Sequence, residues 1–120
     1  DVVQQVLYFL QRSALDLQAL GVEKNRIVLD PGIGFGKTVE QNFALLAHQS
    51  VLRAAGYPLL AGWSRKSSLG AVTGLAVEQR MVPSVAAAVL AVERGASVVR
   101  VHDVRETVAA LAVWRAMQAV

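Results

Sequence analysis

Hydrophobic residues occur along the chain in two patterns that alternate. One is a helical period of three and four residues, and the other is a short continuous apolar run. The first helical stretch, residues 2 to about 20, places apolar side chains three and four residues apart: Val3, Leu7, Leu10, Ala14, Leu17 and Leu20. This period is typical of an amphipathic helix with one buried face, and Gly21 follows at the position of a C-terminal cap. Further helices are predicted from 38 to about 55, from 78 or 83 to 94, and from 103 to about 118.

Capping residues support these helices. Thr38 and Gln41 have the spacing of a capping box, in which each side chain accepts a hydrogen bond from the backbone of the other. Asp103, with a glutamate three residues later, is predicted to cap the last helix. Because proline is tolerated in the first turn of a helix, we favour Pro83 over Glu78 as the start of the third helix.

Short apolar runs separate the helices and predict three buried strands. They are residues 26–30, 58–62 and 97–101, and a polar loop with room for one helical turn, residues 63–74, follows the second. The order α-β-α-β-α-β-α indicates right-handed βαβ units and an α/β fold with a parallel sheet. A (β/α)₈ barrel of ~250 residues, or ~31 per unit, has a similar spacing. Three strands cannot close a barrel, so we expect an open sheet or part of something larger.

Composition narrows the class of protein. The 120 residues form one domain at most, and 54% hydrophobic with 18% charged residues indicates a packed core. There is no cysteine, hence no disulfide or cysteine metal site. No apolar run reaches the ~18 residues of a membrane span, and no signal peptide is visible. We expect a cytoplasmic location, no membrane partner and, since the first residue is not methionine, a processed or truncated chain.

The charge distribution argues against a nucleic-acid partner. The twelve basic residues behind the net charge of +3 are scattered along the chain, whereas a nucleic-acid-binding face clusters basic and aromatic side chains. A small anionic ligand suits these few basic groups better.

Residues 29–38, LDPGIGFGKT, look like a phosphate-binding loop but fit neither common template. The closing Gly-Lys-Thr fits Walker A, but the first required glycine falls on Pro31, which has no N–H group for a backbone cradle. Gly32 and Gly34 start the dinucleotide pattern, but the third glycine comes one residue early. Neither template explains Asp30, a carboxylate at the end of the first predicted strand.

Polar side chains occur at the carboxyl ends of all three predicted strands: Asp30, Ser64, Arg65, Lys66, Arg100 and His102. Functional sites of parallel α/β sheets lie at this edge, so the sequence predicts one there. Arg100 and His102 share a strand face. A buried guanidinium keeps its charge and needs a partner. That partner is either a bound phosphate, at about 1.5–3 kcal/mol per charged hydrogen bond, or a structural Asp or Glu.

Each candidate also has a purely structural interpretation. Asp30 suits a helix cap or an Asx turn, Lys66 an exposed surface position, and His102 a rim histidine. Phe35, between two glycines, either packs on its own loop or forms a wall for a flat ring. Asp103 is interpreted only as a cap.

Three motifs in this order and spacing, LDPGIGFGKT, LLAGWSRKSSLG and VVRVHDV, resemble those of dihydropteroate synthases. Each motif is modest alone, the combination is specific, and the resemblance covers nearly the whole chain. It implies that residues 1–120 are a partial pterin-binding domain, about strands six to eight of a (β/α)₈ TIM barrel. It also implies a transferase of folate biosynthesis that joins 6-hydroxymethyl-7,8-dihydropterin diphosphate to p-aminobenzoate and releases pyrophosphate. Sulfonamides compete with p-aminobenzoate in this family.

The resemblance assigns roles to the substrate-binding residues by motif. Asp30 would hydrogen-bond the pterin ring, and Gly62 would let the pterin approach the backbone. Lys66 would lie beside both substrates. Ser67 would receive the p-aminobenzoate carboxylate, and Phe35 would flank the ring of that substrate.

The remaining roles concern the diphosphate. Arg100 would pack along the pterin and reach the diphosphate, and His102 would be an anion ligand, so Lys66 and Arg100 are the catalytic candidates. The family's proposed path is an SN1-like loss of pyrophosphate followed by amine attack, without a covalent enzyme intermediate. Trp63 departs from the methionine of many members and is expected to alter packing at the rim rather than the chemistry.

The resemblance also implies functional residues that lie outside residues 1–120. Members link Mg²⁺ and diphosphate to an asparagine of the first strand, and add an Asp and an Asn from strands four and five. We therefore expect Mg²⁺ with its ligand outside this chain, a homodimer when intact, and no activity for the chain alone. Two alternatives remain: a pterin-binding methyltransferase barrel, which needs no diphosphate site, and a non-catalytic half-barrel with sheet edges prone to self-association.

Overall fold

Five helices alternate with short extended segments in the computed structural model, which describes residues 1–120. The helices are α1 (Val2–Ala19), α2 (Val39–Ala47), α3 (Ser67–Thr73), α4 (Met81–Glu93) and α5 (Val104–Gln118). The strands are β1 (Leu59–Ala61) and β2 (Ala96–Val99). Short 3₁₀ segments lie at Lys24–Arg26, Gln49–Ala55 and Val77–Gln79.

The extended segments form a small parallel sheet with β1 in the middle. β1 and β2 are parallel, with Leu59 opposite Ala96. On the other side of β1, Leu29 forms a parallel bridge to Leu59, and the Leu60 N–H group donates to the Leu29 carbonyl at 2.8 Å. Parallel neighbours joined through helices are the predicted βαβ arrangement, and they bring the carboxyl ends of all three segments to one edge.

The first predicted strand is right in position and direction but wrong in extent. Within residues 26–30 only Leu29 is bridged, and Lys24–Arg26 forms a 3₁₀ turn instead. Val28 is 49% exposed. A strand of several residues needs a series of backbone hydrogen bonds to a neighbouring strand. Residues 26–30 pair with β1 at Leu29 alone, so they do not form a longer strand.

The hydrophobic core lies between the sheet and the helices. Leu10 and Ala14 of α1, Leu45 of α2 and Ala91 of α4 are each at most 5% exposed, and Leu59 of β1 is 1% exposed. Val3, Leu10 and Ala14 are the buried residues of α1 and lie on the predicted apolar face, whereas Leu17 and Leu20 of that predicted face are 41% and 82% exposed. None of the helices combines the length and hydrophobicity that crossing a bilayer requires.

α1, α4 and α5 end at Ala19, Glu93 and Gln118, close to their predicted ends, and the predicted capping box is present at the start of α2. Thr38 Oγ1 accepts from the Gln41 N–H group at 3.1 Å, and Gln41 Oε1 accepts from the Thr38 N–H group at 2.9 Å. The helix that begins there becomes a 3₁₀ segment after Ala47, short of the predicted end near 55. The preferred start at Pro83 is wrong, because α4 begins at Met81 and proline occupies its first turn, where no N–H group is needed.

Candidate functional site

The glycine-rich loop, residues 30–38, is closed around its own lysine. Its three glycines have φ values of 72°, 86° and 64°, a region that glycine adopts without steric cost. Lys37 Nζ donates to the carbonyls of Gly32 at 2.7 Å and Phe35 at 2.9 Å. Burial lowers the pKa of Lys37, and Asp30 partly opposes that effect. Because its lysine is occupied by loop carbonyls, this loop is not organised as a Walker A cradle.

Asp30 joins the loop to the carboxyl edge of the sheet. Its Oδ1 accepts from the Gly32 N–H group at 2.8 Å, which is the predicted Asx turn. Its Oδ2 lies 3.4 Å from Nη1 of Arg100, a residue 70 positions further along the chain. One carboxylate therefore forms the predicted Asx turn and also lies beside Arg100 at the edge of the sheet.

Arg100 lies just beyond the strand and not on a buried strand face as predicted. β2 ends at Val99, and the Arg100 side chain is 55% exposed. Its backbone N–H group donates to the Ala61 carbonyl at 3.0 Å, which extends the pairing by one bond. The guanidinium covers Gly62, where an added Cβ would lie 2.9 Å from Cζ. The partner of this charge in the structure is the carboxylate of Asp30.

Lys66 reaches from the loop after β1 to the glycine-rich loop. Its Nζ donates to the Ile33 carbonyl and lies 5.1 Å from the centroid of the Phe35 ring, within cation–π range. Its stem passes Gly34, where an added Cβ would lie 3.1 Å from Cδ. The interpretation of Lys66 as a free surface lysine is therefore wrong.

The pKa of Lys66 reflects the charges that converge here. Burial lowers it most, Arg100 lowers it further, Asp30 opposes them, and Lys37 adds a smaller lowering effect. The predicted convergence of Asp30, Lys66 and Arg100 is thus present in the fold.

A cavity of about 110 Å³ at the same edge is lined by Gly62, Ser64, Lys66, Arg100, Val101 and His102. Ser64 holds His102 twice: its Oγ lies 2.7 Å from Nδ1 and accepts from the His102 backbone N–H group at 3.2 Å. Two basic side chains and an oriented imidazole suit a small anion. The volume is below the ~300 Å³ of typical ligand pockets, so this cavity fits an anionic group rather than a complete pterin diphosphate.

Phe35 and Ser67 do not belong to the lining of this cavity. Phe35 is 70% exposed and lines a second hollow of about 470 Å³, which Asp30 also lines, against α1. Its ring therefore does not pack into its own loop. Ser67 is the first residue of α3, exposed beside Lys66, and does not line the 110 Å³ cavity. Lys66 links both residues to the cavity: its Nζ lies near the Phe35 ring, and Ser67 follows it in the sequence.

Asp103 does not cap α5, contrary to the prediction. It precedes the helix, but its side chain accepts no hydrogen bond from the first turn, and Oδ1 instead lies 3.1 Å from Arg65 Nη2. Arg65 has a φ of 60°, rare for a residue with a side chain. Its N–H group donates to Ser84 Oγ at 2.8 Å, and its carbonyl accepts from Arg80 Nη1 at 3.0 Å. Arg65 thus supports the shape of the loop and does not line the cavity.

Asn42 is the main site residue that the sequence interpretation missed. It is 1% exposed, its Oδ1 accepts from the Gly34 N–H group at 3.0 Å, and its Nδ2 donates to Ser68 Oγ at 3.0 Å. The available signal was a polar residue three and four positions before Leu45 and Leu46, on the apolar face of α2.

Two further expectations concern Trp63 and metal binding. Trp63 is 2% exposed and packs against Phe43 with ring centroids 5.0 Å apart, outside the cavity lining, in keeping with a packing role. No group of three or more His, Asp or Glu side chains is arranged to hold a metal ion.

A carboxylate, a lysine and an arginine at the carboxyl edge of a parallel sheet are typical of the ligand sites of α/β enzymes. The chain belongs to the pterin binding enzyme family, whose model matches residues 1–102. The predicted fold class, part of an α/β barrel, is confirmed by relatives of known structure.

Dihydropteroate synthases are the relatives that this chain matches, which confirms the predicted resemblance. The Haemophilus influenzae enzyme is 46% identical over 116 residues, covering 97% of this chain and 42% of the relative. The Xanthomonas albilineans enzyme in complex with 7,8-dihydropteroate is 50% identical, has a TM-score of 0.98, and is matched over 100% of this chain and 46% of that one. A structure of the same enzyme with 4-aminobenzoic acid also has a TM-score of 0.98, at 50% identity over 100% of this chain and 44% of that one. The chain therefore spans less than half the length of these relatives.

Proposed function

We propose that this chain forms part of a dihydropteroate synthase and provides one side of its substrate site. The observation that carries the proposal is the convergence of Asp30, Lys66 and Arg100 at the carboxyl edge of the sheet, where Arg100 pairs with Asp30 and lines one cavity together with Lys66. The structures of the Xanthomonas albilineans relative with 7,8-dihydropteroate, the product of this reaction, and with 4-aminobenzoic acid, one of its substrates, support the same ligands for this site. The activity belongs to the whole barrel, and this chain alone is inactive.

The pterin binds next to Asp30 and Gly62. Asp30 is fixed by the Gly32 N–H group on Oδ1 and by Arg100 near Oδ2, and a carboxylate has further lone pairs that accept from the amino-pyrimidine edge of a pterin. Gly62 has no side chain between the ring and the backbone, and the Arg100 guanidinium above it offers a flat cationic surface.

The diphosphate end of the same substrate lies at the 110 Å³ cavity. The bond between the pterin methylene carbon and the diphosphate oxygen breaks, and its electron pair leaves with pyrophosphate. Arg100 and His102 face this developing negative charge and stabilise it. The p-aminobenzoate nitrogen then forms the new C–N bond and loses a proton, so no side chain needs to act as a nucleophile.

The p-aminobenzoate site lies between the glycine-rich loop and the start of α3. Phe35 flanks its ring, Ser67 receives its carboxylate, and Lys66 links the two positions, since its Nζ lies 5.1 Å from the Phe35 ring centroid. Sulfonamides, which resemble p-aminobenzoate, would compete at this position.

Mg²⁺, a homodimer and a cytoplasmic location complete the proposal. Mg²⁺ requires several oxygen ligands, and the carboxylates of Asp30 and Asp103 at this edge are already paired with Arg100 and Arg65. The residues of this chain therefore do not form a magnesium site alone, and none of the steps above depends on one.

A chimaeric enzyme tests the proposal. The chain replaces the matching segment of the Haemophilus influenzae dihydropteroate synthase, and dihydropteroate formation is measured for the chimaera, for its Arg100→Ala variant and for the chain alone. We expect turnover by the chimaera, a large loss in the variant, and none by the chain. Turnover by the chain alone would refute its incompleteness, and an inactive, folded chimaera would count against the function.

Two measurements on the chain separate the alternatives. Pyrophosphate binding that disappears in Arg100→Ala supports a diphosphate site, whereas binding that is absent or independent of Arg100 favours a methyltransferase-type barrel. Light scattering of the chain, with and without the remaining portion of the barrel, shows whether it acts only as an association unit.

A further inference from the structure

We propose that Asn42 is a positioning residue for p-aminobenzoate. Its side-chain amide fixes the distance between the loop that carries Phe35 and the helix end that carries Ser67. The inference rests on the proposed function, which assigns those two residues to one substrate, and it adds a buried residue that contacts neither substrate.

The contacts of Asn42 join two segments that are distant in sequence. Oδ1 accepts from the N–H group of Gly34, the neighbour of Phe35, at 3.0 Å. Nδ2 donates at 3.0 Å to Oγ of Ser68, the neighbour of Ser67, across 26 residues. Each end of the amide therefore holds one side of the p-aminobenzoate site.

Burial makes this bridge specific for an amide. Asn42 is 1% and Ser68 2% exposed, so water does not readily replace a lost bond. An amide combines an acceptor with donors in one rigid group, and an apolar side chain of similar size would leave both the Gly34 N–H group and the Ser68 hydroxyl without this partner.

Asn42 acts mainly on one substrate because the pterin side is held in other ways. Asp30 is fixed by Gly32 and Arg100, whereas the side-chain hydrogen bonds of Asn42 go to Gly34 and Ser68. Lys66 Nζ donates to the Ile33 carbonyl without the participation of Asn42, so we expect this contact to remain when Asn42 is replaced. Loss of the amide thus loosens the spacing between the Phe35 loop and α3 while the carboxylate and guanidinium stay in place.

The test measures both Michaelis constants in the chimaera. We expect Asn42→Leu to raise the KM for p-aminobenzoate at least tenfold, because the loss of one buried hydrogen bond weakens binding by roughly tenfold. The KM for the pterin diphosphate should change by less than about threefold. Ser68→Ala, which deletes only a hydroxyl group, should give a smaller rise of the same kind. Its effect should not add to that of Asn42→Leu, because the two residues share one bond.

Gln49 provides the matched control. It is also a buried amide, 2% exposed, and its Nε2 donates to the Ala91 carbonyl at 2.9 Å, away from the site. Gln49→Leu should lower the Tm to a similar degree and leave the KM for p-aminobenzoate unchanged. Equal rises in both Michaelis constants, or the same selective rise in Gln49→Leu, would overturn the assignment.

A second readout does not depend on activity. In the chain itself, hydrogen exchange by NMR should show a protected Gly34 amide that exchanges at least tenfold faster in Asn42→Leu and at an unchanged rate in Gln49→Leu. Equal exchange in the wild-type chain and Asn42→Leu would show that the bridge is absent. An inactive chimaera together with a protected Gly34 amide would instead locate the failure in the proposed function.

Discussion

Gly62→Ala is expected to weaken anion binding at the rim while leaving the stability of the fold nearly unchanged. Gly62 is not among the glycines with positive φ, so alanine can adopt its backbone conformation. The new methyl group, however, would lie 2.9 Å from Cζ and 3.2 Å from Nε of Arg100. Because the Arg100 side chain is 55% exposed, it can swing into solvent instead of forcing the backbone to move.

The magnitudes separate the two effects. Replacing a compatible glycine by alanine stabilises a protein by about 0.4–1 kcal/mol through the unfolded chain. Losing the exposed pair between Arg100 and Asp30 costs about 0.2–1 kcal/mol, so the free energy of unfolding should change by less than about 1 kcal/mol. A displaced arginine forfeits about 1.5–3 kcal/mol for each charged hydrogen bond to a phosphate, which weakens the Kd for pyrophosphate by about 10-fold to 150-fold.

Calorimetric titration with pyrophosphate and urea denaturation measure the two quantities on the same samples. Arg100→Ala sets the upper limit of the binding loss. The double variant tests whether Gly62→Ala acts through Arg100. Gly62→Ala should not weaken pyrophosphate binding further once Arg100 is replaced. Two results would refute the reasoning that Gly62 acts by leaving room for the Arg100 guanidinium. One is normal pyrophosphate binding by Gly62→Ala, and the other is an equal loss of binding when Gly62→Ala is added to Arg100→Ala.

Other predictions concern one helix cap and one lysine. Thr38→Ala removes the capping box with Gln41 and should lower the free energy of unfolding by about 1 kcal/mol, measured by urea denaturation; an unchanged midpoint would contradict a structural role for the cap. The pKa of Lys66 should lie below the usual 10.5 in an NMR titration, rise in Arg100→Gln and fall further in Asp30→Asn, and opposite shifts would contradict the electrostatic assignment. Since the folded state then binds fewer protons than the unfolded state between the lowered pKa and 10.5, stability should rise with pH in that window, and less so in Lys66→Met.

The helices were largely predictable because their signals are local. The three- and four-residue spacing of α1 and the capping box at Thr38 depend only on nearby residues. The extent of the first strand was not predictable, because a strand requires backbone partners that the local sequence does not specify. Only Leu29 of that segment has a partner, although its composition suits a buried strand.

The location of the site was predictable, but the partner of each side chain was not. Parallel strands place their carboxyl ends at one edge, which brought Asp30, Lys66 and Arg100 together as expected. Asp103 was assigned to a cap because helix caps are recognised from neighbouring residues, whereas its actual partner, Arg65, lies 38 positions away. Asn42 was overlooked for the same reason, since both of its contacts depend on the tertiary fold.

The exposure of the charges at the rim gives a physical reason for the proposal that this chain alone is inactive. The side chains of Arg100 and Asp30 are 55% and 37% exposed, and solvent and salt weaken the field of such charges. Preorganised charges stabilise a leaving group most effectively where water is excluded. Under the proposed function, we therefore expect the groups on this chain to bind an anion, and the breaking of the carbon–oxygen bond to require further protein that covers the rim. Pyrophosphate binding by the chain alone measures recognition, and dihydropteroate formation by the chimaera measures catalysis.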